Sequence, residues 1–266
     1  MNGAHELTIL SMIMTAVLLL VPILVFFYLK MGIIKNLLIS TVRMTIQLLL
    51  IGFFLEFLFK LNHWAVNLAW FMVMITVAMF ATIKNSQLQV KHFARPVLIS
   101  FVLSNLFIVI YFNFFIVRLN YIFDAKYLIA IGGMVLGNSL RANVVGLGDF
   151  YKMVKRDEQL YYYRLSLGAG RFEALMPFIQ RSFKAAINPT LANMSTMGIV
   201  SLPGMMTGQI LGGSVPLEAI KYQLAIMVAI IAATVISIGL SILLTVGSSF
   251  DKYGRMKTDI LVKKQN

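Results

Sequence analysis

Few side chains in this sequence could carry out catalysis. It contains no cysteine, which excludes a disulfide framework, a thiolate metal site and a catalytic thiol. Its three histidines, His5, His63 and His92, lie far apart and lack the spacing of metal ligands. We find no grouping of nucleophile, base and metal ligands that would indicate a membrane enzyme. A GxxxxGKS/T phosphate-binding loop is also absent, so we expect this chain not to hydrolyse ATP.

Polar side chains inside apolar runs are candidates for a transport pathway, because polar groups are costly at membrane depth. Arg43 and Gln47 share one helix face, and Asn138 and Gln209 lie in two later apolar runs. An arginine near the end of a run can instead extend to the interface. Hydrogen bonding between helices is the commoner role of such amides and hydroxyls. It is the alternative for Asn138 and Gln209 and also for Asn143, Thr234, Ser237, Ser241 and Thr245.

Four methionines, Met194, Met197, Met205 and Met206, surround Pro203 in the segment SLPG. Thioethers bind soft metals, but in a chain with 17 methionines packing is their ordinary role. The proline lacks a backbone N–H and predicts either a break or a simple kink in the helix. A break would leave backbone groups free at membrane depth, which is tolerated beside a cavity. The segment is therefore a candidate hinge beside the pathway.

Two rows of glycines occur at four-residue spacing inside apolar runs. Gly133 and Gly137 form the shorter row, and Gly204, Gly208 and Gly212 form the longer one. Such rows remove side chains from one helix face and allow another backbone to approach closely. They predict close packing, either within the chain or at the seam between two copies.

These residues must be positioned by membrane helices. Of the 266 residues, 59% are hydrophobic and only 12% are charged, against about 25% in soluble domains. With a mean hydropathy of +0.85, the composition excludes a soluble protein. We predict an all-α integral membrane protein with one domain, residues 1–266. Apolar runs of membrane length predict seven spans, at residues 7–29, 37–59, 65–83, 97–117, 127–147, 190–213 and 222–246.

The formal charge of +13 reports topology and does not indicate nucleic-acid binding. Most of the 23 Lys and Arg residues fall on one side of the membrane if the N-terminus lies outside. We therefore expect a multi-pass protein of the inner or plasma membrane whose C-terminal tail, residues 247–266, is cytoplasmic.

An amphipathic elbow, residues 148–189, separates predicted spans five and six on the cytoplasmic side. Phe172, Leu175 and Met176 recur at helical spacing, while Gly168 and Gly170 permit a sharp turn. One interpretation is a helix that lies on anionic lipid. The other is a surface into which a cytoplasmic partner docks.

The elbow resembles the cytoplasmic coupling loop of ATP-binding-cassette (ABC) permeases. The sequence LSLGAGRFEALMP is followed by IVSLPG, so that Gly168 would be the motif glycine and Leu202-Pro203 the terminal pair. Residues 163–165 are Tyr-Arg-Leu, where Glu-Ala-Ala is common. The resemblance implies contact with an ATPase through Gly168, Ala169, Phe172, Glu173, Leu175 and Met176.

Over essentially its whole length the chain resembles the FetB-like permeases, which are membrane subunits of iron-export ABC transporters. The resemblance rests on the long segment from Ile187 to Leu224, on GMVLGNSL and on VRMTIQLLLIG. It implies a permease that binds no cofactor itself and contributes to metal homeostasis and resistance to oxidative stress. Its partners would be a second copy of the chain and two copies of a cytoplasmic ATPase that uses ATP and Mg²⁺. Plant relatives are linked to aluminium tolerance and nucleotide-sugar export, so a nucleotide sugar is the alternative cargo.

An iron pathway would ordinarily contain carboxylates or imidazoles, yet Glu56 is the only carboxylate well inside a predicted span. The same scarcity argues against an ion-coupled secondary transporter, the other alternative. If iron is moved, we expect it to pass as a chelate or through weak oxygen contacts. We expect the SLPGMMTGQ segment to face Gln47 and Asn138 across a cavity. The pathway candidates are Arg43, Gln47, Asn138, Pro203, Met205, Met206 and Gln209.

Overall fold

The structure is a computed structural model that describes residues 8–251, 253–257 and 259–261. The predicted start of the first span at residue 7 lies outside this range, as do residues 252, 258 and 262–266 of the predicted tail. The described residues form an α-helical membrane domain with a π-helical turn at Phe112–Ile116. Its helices are α1 (Ile9–Val17), α2 (Leu20–Tyr28), α3 (Ile34–Leu61), α4 (Trp64–Asn85), α5 (Val90–Tyr111), α6 (Ala125–Arg156), α7 (Glu158–Ser166), α8 (Arg171–Thr196), α9 (Gly204–Leu211) and α10 (Pro216–Ser249).

Six helical stretches in the described part of the chain are long and apolar enough to cross a membrane. They are α1 with α2, α3, α4, α5 with its π-turn, α6 and α10. The first stretch is interrupted between α1 and α2 because Pro22 cannot donate a hydrogen bond to Leu18, four residues earlier. Six of the seven predicted spans thus correspond to helical stretches of spanning length, the first of them made of two helices.

The predicted sixth span, residues 190–213, is not one helix. Helix α8 begins at Arg171 and runs through Asn188 and Pro189, where the sequence suggests a helix start, to Thr196. The chain then leaves the helix and re-enters one only at Gly204, after Pro203. Of the two alternatives at the proline, a break or a simple kink, the structure has the break. It starts earlier than SLPG, since residues 197–203 are non-helical.

Helices α4, α5, α6, α8 and α10 form the core, and α6 contacts all of the others. Close approach to α6 occurs at two glycines that were not singled out from the sequence. A Cβ on Gly132 would lie 2.6 Å from the Phe71 ring, and one on Gly146 would overlap the Ile238 Cδ1 atom. The same Cβ on Gly146 would lie 3.3 Å from that of Ala186, so α6, α8 and α10 meet at this glycine.

A buried polar seam joins α5, α6 and α10. Ser100 Oγ donates to the Ser237 carbonyl at 2.9 Å, and Ser241 Oγ lies 2.9 Å from Ser100 Oγ. Asn143 Nδ2 donates to Ser237 Oγ at 2.9 Å. These bonds confirm the role in helix association predicted for Asn143, Ser237 and Ser241. Thr245 bonds only within its own helix, through Ser241 and Ile242.

A second polar knot closes the end of the bundle opposite the predicted elbow. Asn62 adopts a left-handed conformation, with φ 38°, at the end of α3. Its Oδ1 accepts from Asn67 Nδ2 at 3.1 Å and from the Ala125 N–H at 2.9 Å. Its Nδ2 donates to Asp124 Oδ2 at 3.0 Å. The knot ties α3 to the core near its last turn, whereas the rest of α3 is almost wholly exposed, with only Leu58 buried.

The contact at Gly146 predicts a measurable stability effect. Gly146→Ala should lower the free energy of unfolding by about 1–3 kcal/mol, because the new methyl group overpacks against Ile238. Adding Ile238→Val removes the overlapping atom and should restore part of the loss. Thermal unfolding of the purified protein in detergent measures both effects. Gly52→Ala is the control, since its Cβ would meet no atom within 4 Å. An equal response at the two glycines would contradict the close approach.

Candidate functional site

The turn between α7 and α8, residues 158–176, forms a corner at the end of the bundle. We call it the α7–α8 corner. Gly168 has φ +89°, a left-handed conformation that side-chain-bearing residues rarely adopt, so glycine is favoured at this turn. Large apolar side chains around the turn remain exposed, namely Leu160, Tyr163, Leu167, Phe172 and Met176. An exposed apolar group of this kind is typical of a protein or membrane contact.

The residues expected to contact an ATPase have different environments at this corner. Gly168, Phe172, Glu173 and Met176 are exposed, and Ala169 is half-buried. Leu175 is fully buried in the core, so it is not available to a partner. Glu173 also has a local role, because its Oε2 accepts from the Gly170 N–H at 3.3 Å and caps α8.

The described part of the C-terminal tail holds the corner in place. Tyr161 is fully buried and its hydroxyl donates to the Gly254 carbonyl at 2.8 Å. Burial raises the pKa of Tyr161, so its hydroxyl stays protonated and able to donate. Arg171, the first residue of α8, donates from Nη2 to the Asp251 carbonyl at 2.8 Å. Both helices of the corner are therefore tied to the tail.

The tail continues to the turn between α4 and α5. The Gln89 N–H donates to the Ile260 carbonyl at 2.9 Å, and the Ile260 side chain is buried. His92 Nε2 lies 2.9 Å from Asp259 Oδ2, and this hydrogen bond lowers the pKa of the Asp259 carboxyl. The tail thus bridges the corner and the α4–α5 turn, two regions that are distant in sequence.

The break between α8 and α9 lies within the sixth span predicted from the sequence. Local hydrogen bonds partly satisfy it, since the Gly198 N–H donates to the Ser201 carbonyl and the Val200 N–H to that of Thr196, each at 2.9 Å. Ile199 is 91% exposed and Val200 is 78% exposed in the isolated chain. The break therefore lies at the surface of the isolated chain.

A cavity of about 390 Å³ lies between the break and α10. It contains four methionines from successive parts of the chain, Met194, Met197, Met206 and Met227. Gln223 from the second turn of α10 also lines it. The Gln223 side chain is buried, and its Oε1 has no hydrogen-bond partner in the described part of the chain. The cavity is thus apolar with one unpaired amide oxygen.

A smaller cavity of about 310 Å³ lies nearer the first turns of α6 and α10. Met205 and Gln209 line it, together with Lys126 and Tyr222. Met205 and Met206 are adjacent in sequence but line different cavities, because successive helical residues point about 100° apart. Pro203 precedes the first residue of α9, where a proline is compatible with the helix start.

Gln47, Arg43 and Asn138 do not line the cavity at the break. Gln47 and Arg43 lie along a shallow groove on the surface of α3, and both are exposed. Asn138 Nδ2 donates to the Met134 carbonyl at 2.8 Å, within its own helix. The single chain therefore does not place these residues opposite the SLPGMMTGQ segment.

The predicted glycine rows are largely unoccupied within one chain. A Cβ on Gly137, Gly204 or Gly208 would meet no atom within 4 Å. A Cβ on Gly133 would lie 3.3 Å from Met74 Cε, and one on Gly212 would lie 3.1 Å from the Gly208 carbonyl oxygen. The surface of the longer row on α9 is available to lipid or to another subunit.

Two further findings concern groups that bind metals or ligands. No cluster of three or more His, Cys, Asp or Glu side chains occurs among the residues that the structure describes. Gln223 was not identified from the sequence, although it is an amide just inside an apolar run. Its position as an isolated amide in an apolar run is the sequence feature that could have identified it.

Comparison with known proteins places the chain among membrane proteins of one family. Residues 9–250 match the family described as Uncharacterised protein family (UPF0014). The UPF0014 membrane protein YjkA of Bacillus subtilis is 30% identical over 93% of this chain and 98% of its own length. The probable iron export permease protein FetB of Escherichia coli is 29% identical over 98% of this chain and all of its own. Protein ALUMINUM SENSITIVE 3 of Arabidopsis thaliana is 29% identical over 83% of this chain and 80% of its own length. No solved structure matches the chain.

The contacts of the tail predict that Tyr161 restrains it. Tyr161→Phe should remove the hydrogen bond to Gly254 and weaken tail docking by about 1 kcal/mol, so that trypsin cleaves after Arg255 about fivefold faster. Limited proteolysis of the purified protein measures the rate. Tyr163→Phe is the matched control, because Tyr163 is exposed on the same helix. Unchanged cleavage of the Tyr161 variant would show that this bond does not hold the tail.

Proposed function

The chain belongs to the UPF0014 family and is a multi-pass membrane protein, and from this we propose its function. We infer that it is the permease subunit of an ABC exporter and that a separate cytoplasmic chain hydrolyses ATP. The name of the Escherichia coli relative, probable iron export permease, favours iron or an iron chelate as cargo. A nucleotide sugar is the alternative cargo within the same transporter class.

The observation that supports this function best is the exposed apolar surface of the α7–α8 corner. A water-facing helix turn that exposes Leu167, Phe172 and Met176 has the character of a docking site for another protein. Lys and Arg are frequent in and around the corner, which agrees with a cytoplasmic position. On this orientation the N-terminus lies outside and the corner faces the ATPase.

Helix α8 supplies the connection between docking and transport. It starts at the corner with Arg171 and ends at the break with Thr196, a length of about 39 Å at 1.5 Å per residue. The helix is continuous, so a displacement of the corner by the ATPase would reach the break. The exposed corner, the continuous helix α8 and the non-helical segment after it together support the function of a permease.

The exposure of the break supports a homodimer. Non-helical backbone is tolerated at membrane depth only where protein covers it or where it lines a water-filled cavity. In the single chain Ile199 and Val200 are largely uncovered, and Gly204 and Gly208 meet no neighbour within 4 Å. A second copy placed against this face would cover the break and create a pathway between the subunits. Two ATPase subunits would then complete the transporter.

Substitutions at the α7–α8 corner test the proposed coupling. Phe172→Asp should leave the permease in the membrane but reduce ATPase copurification and ATP-driven export about tenfold or more, because a charge replaces an exposed aromatic side chain that the proposed ATPase contact would bury. Gly168→Leu should act similarly by straining the turn. Sealed vesicles that carry permease and ATPase measure export, with ferrous iron, iron chelates and a nucleotide sugar as competing cargoes.

Tyr28→Asp is the matched control for coupling, because Tyr28 is an exposed aromatic residue at the end of α2, away from the corner. Normal coupling in both corner variants would make the corner a lipid-bound structure. Vesicles that export only the nucleotide sugar would exclude the iron cargo and retain the permease function.

Cross-linking at the break tests the proposed dimer. Because the chain has no cysteine, Ile199→Cys introduces a single thiol at the break. We expect a bismaleimide to cross-link two copies through this position in membranes. Leu103→Cys is the control on the exposed face of α5 and should cross-link far less. Equal, weak cross-linking of both variants, with a monomer in native mass measurement, would contradict the homodimer.

A further inference from the structure

Helices α1, α2 and α3 stand apart from the rest of the bundle. Leu58 alone is buried among their described residues, whereas the apolar segments of the other four spanning stretches are between 39% and 50% buried. Helix α3 meets the core near its end, where the rings of Phe54 and Trp70 have centroids 4.2 Å apart. Before that contact, residues 42–50 are all exposed. Lipid satisfies exposed apolar side chains, so the polar ones decide whether protein must cover this helix.

Gln47 is the polar side chain that needs a partner. It lies seven residues before Phe54, which is about two turns away on the same side of α3. That side packs against the core at Phe54 and Leu58, but the groove at Gln47 is lined by residues of α3 alone. An amide that meets only hydrocarbon loses its hydrogen bonds to water, which is costly. Arg43, one turn nearer the start of α3, can extend to the interface, so the argument rests on Gln47.

The break between α8 and α9 has the complementary groups. Ile199 is 91% exposed and Val200 is 78% exposed, so their carbonyl groups are uncovered as well as their side chains. None of the hydrogen bonds within the described part of the chain ends on these two carbonyl oxygens. Free carbonyls are as unfavourable in hydrocarbon as free amides. One chain thus has unpaired donors on α3 and unpaired acceptors at the break.

The two sets of groups lie at similar heights in the bundle. Ser86, at the end of α4, marks a common level, because a Cβ on Gly148 of α6 would lie 3.7 Å from its Cα. Counted along the helices at 1.5 Å per residue through the Phe54–Trp70 contact, Gln47 lies about 14 Å above this level. Counted through the contact of α6 with Ala186, the end of α8 at Thr196 lies about 18 Å above it. The difference is less than one helical turn.

We propose that α3 of one copy lies along the break of a second copy, where its Gln47 amide donates to the carbonyl of Ile199 or Val200. Within one chain α3 packs on α2 and α6, so its donors remain available to a second copy. Two such contacts related by a two-fold axis close a dimer, as is usual for homo-oligomers. The inference rests on the proposed homodimer and adds which surfaces form its seam.

Disulfide formation between two differently tagged full-length copies tests the seam in membranes. One copy carries Leu50→Cys, one turn after Gln47 and at the height of the break, and the other carries Val200→Cys. The natural chain has no cysteine, so these thiols are the only ones present in the two copies. Oxidation with copper phenanthroline should yield a linked species that contains both tags. Leu48→Cys is the matched control, because Leu48 is 62% exposed and Leu50 65%, but they point about 200° apart around α3.

The hydrogen bond is tested by the dissociation constant of the dimer. Gln47→Leu should raise this constant about tenfold, since one hydrogen bond is lost at each of the two contacts. It should not unfold the chain, because leucine is compatible with lipid. Fluorescence energy transfer between labelled copies diluted in liposomes measures the constant. Thr45→Val is the control and should leave it unchanged, because the Thr45 hydroxyl donates to the Thr41 carbonyl of its own helix at 3.0 Å.

Several outcomes would overturn the proposed seam. Leu50→Cys and Leu48→Cys could link equally to Val200→Cys, or Gln47→Leu could leave dissociation unchanged. A chain with both Leu50→Cys and Val200→Cys could also form its disulfide internally, with none between copies. If the Ile199→Cys copies still cross-link in these cases, the homodimer is retained and only the position of α3 is wrong. If they do not, the homodimer itself fails.

Discussion

A polypeptide backbone inside hydrocarbon has no water with which to form hydrogen bonds, and this constraint governs the molecule. It explains why the membrane-crossing stretches are helices. Asn62 caps α3 in a left-handed conformation and also binds the start of α6. The break at residues 197–203 is the place where the constraint is not fully met within one chain. Its exposure in the isolated chain is the observation that supports the proposed homodimer.

The sequence predicts the membrane domain and most of its spans because hydropathy reports directly on burial in lipid. It does not predict where α8 begins and ends. Ile199, Val200 and Leu202 are as apolar as any helical residues, so the break is invisible to a hydropathy window. Gly198, with φ +86°, is the local signal for it. At the start of the predicted span, α8 passes through Pro189 without interruption, although the Asn-Pro pair resembles a helix start.

The candidate site was harder to predict for a geometric reason. Position along a span gives the depth of a residue but not the direction in which it points around the bundle. Gln47 and Asn138 were placed near the break by depth, yet one lies on the exposed face of α3 and the other bonds its own helix. Similarly, the apolar stripe of the elbow contains both Leu175, which is buried in the core, and Phe172, which is exposed. Helical spacing alone does not separate these two roles.

The continuity of α8 links the two features that sequence reasoning treated separately. If a loop joined the corner to the break, motion at the corner would be absorbed before it reached the membrane. Instead one helix spans the distance, and it packs beside Gly146 of α6, where Ala186 approaches closely. At the corner, the hydrogen bonds of Tyr161 and Arg171 to the tail hold the start of α8 in place. The segment after Thr196 is non-helical and lies beside the methionine-lined cavity, so on the proposed function a displacement of α8 would be taken up there.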